Sequence, residues 1–190
     1  MLIPMVLEND GGHERSFDIY SRLLRDRIVM CHGQVEDNMA SLIVAQLLYL
    51  QSEDSSKPVH MYINSPGGSV ISGLSIIDTM NIIKCPVYTY CMGQCASMGL
   101  VILSSGEKGC RHVLSNARIM GHTVSSGCEG KIQDMKIAVE ESNRLNDILM
   151  KMIADNCGKD VKQVKKDMDR DFFMSAQEAV DYGIADKILK

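Results

Sequence analysis

The sequence predicts a single α/β domain built on a mostly parallel sheet, and two observations carry that prediction. β-type segments begin at 28, 59 and 87, each followed across a turn by a helix-type segment, so a strand-then-helix unit recurs at about thirty residues. Such alternation gives parallel strands joined by right-handed crossovers. The second observation is size: 190 residues is one domain's length, enough to bury roughly 70% of the surface its unfolded chain exposes.

In chain order, residues 1–16 join a short apolar run to the loop-forming Glu8–Ser16, which predicts a mobile axial arm. Phe17, Ile19, Tyr20, Leu23 and Leu24 fall at helical spacing. Arg27–Cys31 and His32 form a strand closed by Gly33. Glu36 or Asp37 can cap the next helix, whose stripe includes Met39, Leu42, Ile43, Leu47 and Leu50. Val59–Asn64 is a strand, Ser65–Ser69 a tight turn, and Val70–Ile83 a helix. Val87–Met92 and Ala96–Leu103 repeat the pattern. Both glycine-rich turns, 65–69 and 93–97, fall at the carboxyl edge of the sheet, where such folds bind ligands.

Cys110–Leu114 and Ala117–Gly121 are predicted as short strands, the second ending at His122. A Ser- and Gly-rich segment, 123–130, leads into the longest helix signal, 131–156, with Gly158 placed as a C-cap. A helix this long, polar on one face, is expected to project. Val161–Met168 is a further helix, Arg170–Met174 an extended link, and Ser175–Glu178 a capping box that opens a helix ending before Gly183.

Composition excludes several function classes. A net charge of −4 with no concentrated Lys/Arg surface argues against a nucleic-acid partner. Lys162, Lys165 and Lys166 run straight into Asp167, Asp169 and Asp171, so they read as a solvated face. No apolar run spans a bilayer. Met1–Leu7 lacks a basic region and is followed by Glu8 and Asp10, unlike a signal peptide. Seven cysteines, an odd number with no C-x-x-C pair, read as reduced thiols of a cytoplasmic protein, without a metal site. Cys31, Cys91 and Cys95 lie in apolar runs, as small buried hydrophobes do.

The chemistry centres on Ser97, at the turn where strand becomes helix. There the first helical N–H groups lack intrahelical partners, and that of Met98 is placed to stabilise an oxyanion formed by attack of Ser97. A serine needs a base, and the base needs an orienter. Of the five histidines, His13 lies in the arm, His32 and His60 in or ending a strand, and His112 among apolar neighbours. His122 ends a strand before a flexible loop, where a base would project. Spacing does not choose the acid: Asp78, Asp134, Asp147, Asp155, Asp167, Asp169, Asp171, Asp181 and Asp186 all qualify by type.

Four stretches in order, Tyr62–Gly68 (YINSPGG), Met92–Gly99 (MGQCASMG), Arg118–His122 (RIMGH) and Arg170–Ala176 (RDFFMSA), resemble the proteolytic subunits of Clp proteases, ClpP. The resemblance extends to Ile3–Val6, Asp18–Leu24 and Gly33–Val35. It implies Ser97 as nucleophile, His122 as base and acid, Asp171 as orienter, and Gly67 and Met98 as oxyanion-hole donors. It implies a crotonase-like fold of repeated ββα units with a protruding handle helix at 131–156. It further implies two stacked heptameric rings joined through Arg170, of this chain alone or shared with a paralogue, in the cytoplasm or a plastid stroma. An AAA+ unfoldase of the Clp family would dock at His60, Tyr62, Tyr90, Met92, His112, Leu114 and Leu189, consume the ATP, and feed in unfolded proteins. The chain itself would need no cofactor.

This sequence departs from the family's pattern at three places. Thr123–Gly127 replaces Gln-Pro-Leu-Gly-Gly, Gly121 precedes the base, and His60 and His112 stand at docking positions where aromatics are usual. Loss of proline and gain of glycine are expected to loosen the backbone on both sides of His122. Alongside the peptidase, two other readings are a catalytically silent subunit that completes mixed rings and, on the same fold, a crotonase acting on a coenzyme A thioester.

Overall fold

The computed structural model describes residues 2–10 and 13–190. Its framework is a seven-stranded sheet of β3 (Ile28–His32), β4 (Val59–Ser65), β5 (Val87–Ala96), β6 (Arg111–Leu114), β7 (Arg118–Gly121), β8 (Phe172–Met174) and β9 (Lys187–Leu189). The order is β3-β4-β5-β6-β9, with β7 pairing both β5 and β8. All pairs in it are parallel except β7 with β8. The expected mostly parallel α/β fold is therefore observed.

Helices α2 (Asp37–Glu53), α3 (Val70–Ile82), α4 (Met98–Ser104) and α5 (Ile132–Cys157) follow the sequence expectation to within a residue or two. Glu36 is the α2 N-cap but makes no side-chain cap bond; the Asp37 carboxylate instead accepts from Ser72 Oγ on α3. α4 is the hub. Every residue from Met98 to Ser104 is buried, and the helix packs on β4, β5, β7, α3 and α5. Alternation along β4 sends Val59, Met61, Ile63 and Ser65 into this core while His60 and Tyr62 take the opposite face. Cys31, Cys91 and Cys95 are wholly buried, as expected, and burial pushes the Cys31 thiol up to about 12. α6 (Val161–Asp167) and α7 (Ala176–Tyr182) complete the fold, the latter opened by the predicted Ser175–Glu178 capping box and closed by Gly183.

Two expectations are corrected, and one strand lies outside them. The arm holds a two-stranded ribbon, β1 (Met5–Asp10) with β2 (His13–Asp18), although Gly11 and Gly12 lie outside the described residues. Glu8 ties it to α1 (Ile19–Arg25) through Arg22 and through Arg25 at 3.0 Å. Polar composition had pointed to a loop, but this pairing rests on backbone ladders and charge. β5 runs on to Ala96, four residues past its expected end, because a bulge at Gly93 (φ 74°) is accommodated by Asn64, whose Oδ1 accepts from Gln94 N at 3.3 Å. β9 was not expected; three residues carry no readable period.

Candidate active site

β5 changes partner along its length, and that change delivers Ser97. Thr89–Cys91 pair with β6, whereas Gln94–Ala96 pair with β7. Ser97 N then donates to Met120 O at 2.8 Å, and the chain turns at once into α4. The turn is sharp: Ser97 has φ 53° and ψ −121°, left-handed territory that costs a non-glycine residue about 1–3 kcal/mol. Nucleophile elbows hold serine in this way, exposed at the end of a strand. Cys95 replaces the usual first glycine of such elbows; it is wholly buried and packs in the core.

The loop after β4 closes against this turn. Gly67 (φ 89°) leaves no room for a side chain, since a Cβ there would lie 2.7 Å from both Ala96 O and Ser97 Cβ. Val35 clamps the loop, donating to Gly67 O and accepting from Ser69 N, each at 2.8 Å. The resemblance implies Gly67 as an oxyanion donor. Its N–H is already spent on the buried Ser65 Oγ, 3.0 Å away. Gly68 is the glycine that lines the cavity beside Ser97 and Met98. Among the described residues no hydrogen bond is made by the N–H of Gly68 or of Met98, so these two donors are available.

That cavity has a volume of about 340 Å³ and brings Ser97, Met98, Met120, Gly121 and His122 together with apolar side chains of α4 and α5. His122 enters it because β7 ends one residue earlier. Asp171 arrives from the other side: Gly121 pairs with Phe172 in the antiparallel β7–β8 ladder, so 122 and 171 are the next residues across. Asp171 Oδ1 lies 3.9 Å from His122 Nδ1, and the carboxylate is 64% exposed against 24% for the ring. Among the described residues Ser97 Oγ makes no hydrogen bond. Thus Ser97 and His122 share the cavity, while Asp171 stands behind His122, near it but not bonded.

A sequence model of the Clp protease family matches residues 11–190. The chain belongs to the Clp protease family. Its Gly121, expected to loosen the base, is accounted for by packing within this Clp-family fold. The residue is buried in β7, and a Cβ on it would meet Met168 Sδ at 2.7 Å. Met168 is itself wholly buried and fills the space. The replaced segment after His122 is also held, as Val124 N donates to Asn146 Oδ1 of α5 at 3.0 Å.

The seven residues expected to dock a partner share the sheet face opposite the helices. Tyr62 stacks on Tyr90 with centroids 4.5 Å apart, and Tyr90 on His112 at 4.8 Å. His60 Nδ1 meets Tyr90 OH at 2.8 Å. Met92 follows on β5, and Leu114 pairs with Leu189 across β6 and β9. His112 Nδ1 is buried without a partner among the described residues. Arg170 is exposed beside Asp171 and makes no ion pair among the described residues. Sequence reasoning missed Gly68 and Asn146. The paired glycines of 67–68 were a visible signal for the first; the second had none.

Proposed function

We propose that this Clp-family chain is a serine endopeptidase, with Ser97 as nucleophile, His122 as general base and acid, and Asp171 as orienter. The observation that carries the reading is the strained Ser97 turn, which shares one cavity with His122 and with the unengaged N–H groups of Met98 and Gly68. Ser97 Oγ attacks the scissile carbonyl as His122 takes its proton. The Met98 and Gly68 N–H groups receive the negative charge on the carbonyl oxygen. The protonated His122 then gives that proton to the leaving amine, and water repeats the sequence to release the acyl group from Ser97. The apolar cavity wall formed by α4 and α5 suits an apolar side chain next to the cleaved bond.

In this reading the chain works in stacked heptameric rings, itself or mixed with a paralogue, and degrades unfolded proteins supplied by an AAA+ unfoldase of the Clp family. That partner uses the ATP, and this chain uses no cofactor. The stacked face of Tyr62, Tyr90 and His112 supports the docking role, and the exposed Arg170 supports a role between rings. The silent-subunit reading draws on one specific observation, the 3.9 Å separation of His122 and Asp171. Ser97→Ala separates the two: it should abolish peptide cleavage with assembly intact, since alanine removes only the hydroxyl. Cleavage retained near the unsubstituted rate would exclude Ser97 as nucleophile.

A further inference from the structure

We infer that Asn146 is a positioning residue for the base, holding the segment after His122 against α5 through the Val124 amide. The inference rests on the peptidase reading above. Once β7 ends at Gly121, residues 122–129 belong to no strand, so their backbone groups lack a ladder. Asn146 Oδ1 accepts from Val124 N at 3.0 Å, and two residues on the Ser126 and Ser142 hydroxyls lie 3.0 Å apart.

The geometry of the two elements makes this a matched pair of rungs. An extended chain spaces residues two apart, such as 124 and 126, by roughly 6.6 Å. Residues 142 and 146 share one face of α5, roughly 6 Å apart along its axis. The segment therefore runs antiparallel to the helix with nearly the same repeat. The rungs are not equal. Ser142 Oγ also bonds its own helix at Ala138 O, 2.8 Å away, so it keeps a partner if Ser126 departs. Val124 N has only Asn146 among the described residues, lies half-buried, and is two residues from the base.

Asn146 also sits one turn before Leu149 and Met150 and two turns before Ile153, which wall the cavity together with Val124. The tether thus joins the cavity wall to the backbone that carries His122. Displacing a reacting group by about 1 Å costs up to about 10²-fold in rate. Losing the tether permits a displacement of that order without touching the cavity's chemistry.

The test compares Asn146→Ala with Asn146→Asp, whose carboxylate still accepts a hydrogen bond, using protein that sediments like the unsubstituted chain. For a short peptide substrate, Asn146→Ala should lower kcat by at least about tenfold with KM within about twofold. Asn146→Asp should stay within about threefold of the unsubstituted kcat. Hydrogen exchange of the Val124 amide should be slow in the unsubstituted protein and in Asn146→Asp, and fast in Asn146→Ala. Unaltered kcat in Asn146→Ala despite a freed amide would overturn the inference, as would an unprotected amide in the unsubstituted protein, or Asn146→Asp failing as badly as alanine. An unsubstituted protein that protects the amide but cleaves nothing would overturn the peptidase reading itself, and with it this role for Asn146.

Discussion

Asp171 Oδ1 stands 3.9 Å from His122 Nδ1, about 1 Å beyond hydrogen-bonding distance. The β7–β8 register brings the two side by side, yet the carboxylate is largely in solvent. Neither gap nor exposure is a defect of the ladder, because the next pair inward, Gly121 and Phe172, is in register. What remains is a small movement of the segment that starts at Arg170 and Asp171, and in the proposed assembly that segment meets a second ring.

Arg170→Ala should therefore yield single rings or inactive double rings, with peptide cleavage reduced at least about tenfold although no group that touches substrate has changed. Sedimentation and peptide cleavage measured on one sample check this. Single rings that cleave at the unsubstituted rate would show that the triad closes within one ring.

Tyr62→Ala removes the first ring of the Tyr62–Tyr90–His112 stack on the face opposite the helices, remote from the cavity. Small-peptide cleavage should stay within about twofold of the unsubstituted rate, while unfoldase-dependent degradation of a folded substrate is lost. Equal loss of both activities would refute that division between docking and catalysis.

His112 and His60 should make stability fall with acid. Burial lowers both pKa values from the ordinary 6.5, with the charges of Arg27 and His112 adding for His60. For His112 the positive charge of Lys187 adds as well, while the nearby backbone at Thr89 and Cys110 and the Asp186 carboxylate oppose. The folded chain then binds fewer protons than the unfolded one as pH falls below 6.5. The stabilisation is complete above the unfolded value and lost as pH falls through the lowered folded values. His112→Phe keeps the stack on Tyr90 and deletes the buried, unpaired Nδ1. Denaturant unfolding should show about 1 kcal/mol greater stability at pH 8 and a shallower acid decline. An unchanged pH slope would contradict the assignment.

Gly121→Ala should cost about 1–3 kcal/mol, because the added methyl overpacks against Met168. Met168→Ala alone should cost about 2–5 kcal/mol for the cavity it leaves. The double substitution should be less destabilising than the sum, since trimming Met168 makes room for the methyl. Additive losses would mean that the two residues do not share the space.

Sequence patterning exposed the framework and half of the site. The repeat of strand and helix at 28, 59 and 87 led to the parallel sheet, and the strand-to-helix change at Ser97 and the strand end at His122 pointed to two residues that share a cavity. Asp171 came only from the resemblance, for its place depends on the antiparallel register of β7 with β8, and periodicity within one segment does not specify its partner. Gly121 was read as slack because a glycine's missing side chain is visible in sequence, whereas the Met168 that takes its space is not. The choice between Gly67 and Gly68 needed Ser65 Oγ, which occupies one N–H and leaves the other. Asn146 is one polar residue among many on α5, and only the placement of Val124 distinguishes it.

Activation of Ser97 as a nucleophile is open to direct measurement by labelling with a serine-directed fluorophosphonate followed by peptide mapping. In assembled rings covalent modification is expected at Ser97 alone, lost in both Ser97→Ala and His122→Ala. Rings of correct size in which Ser97 stays unmodified, or in which labelling survives removal of His122, would contradict it.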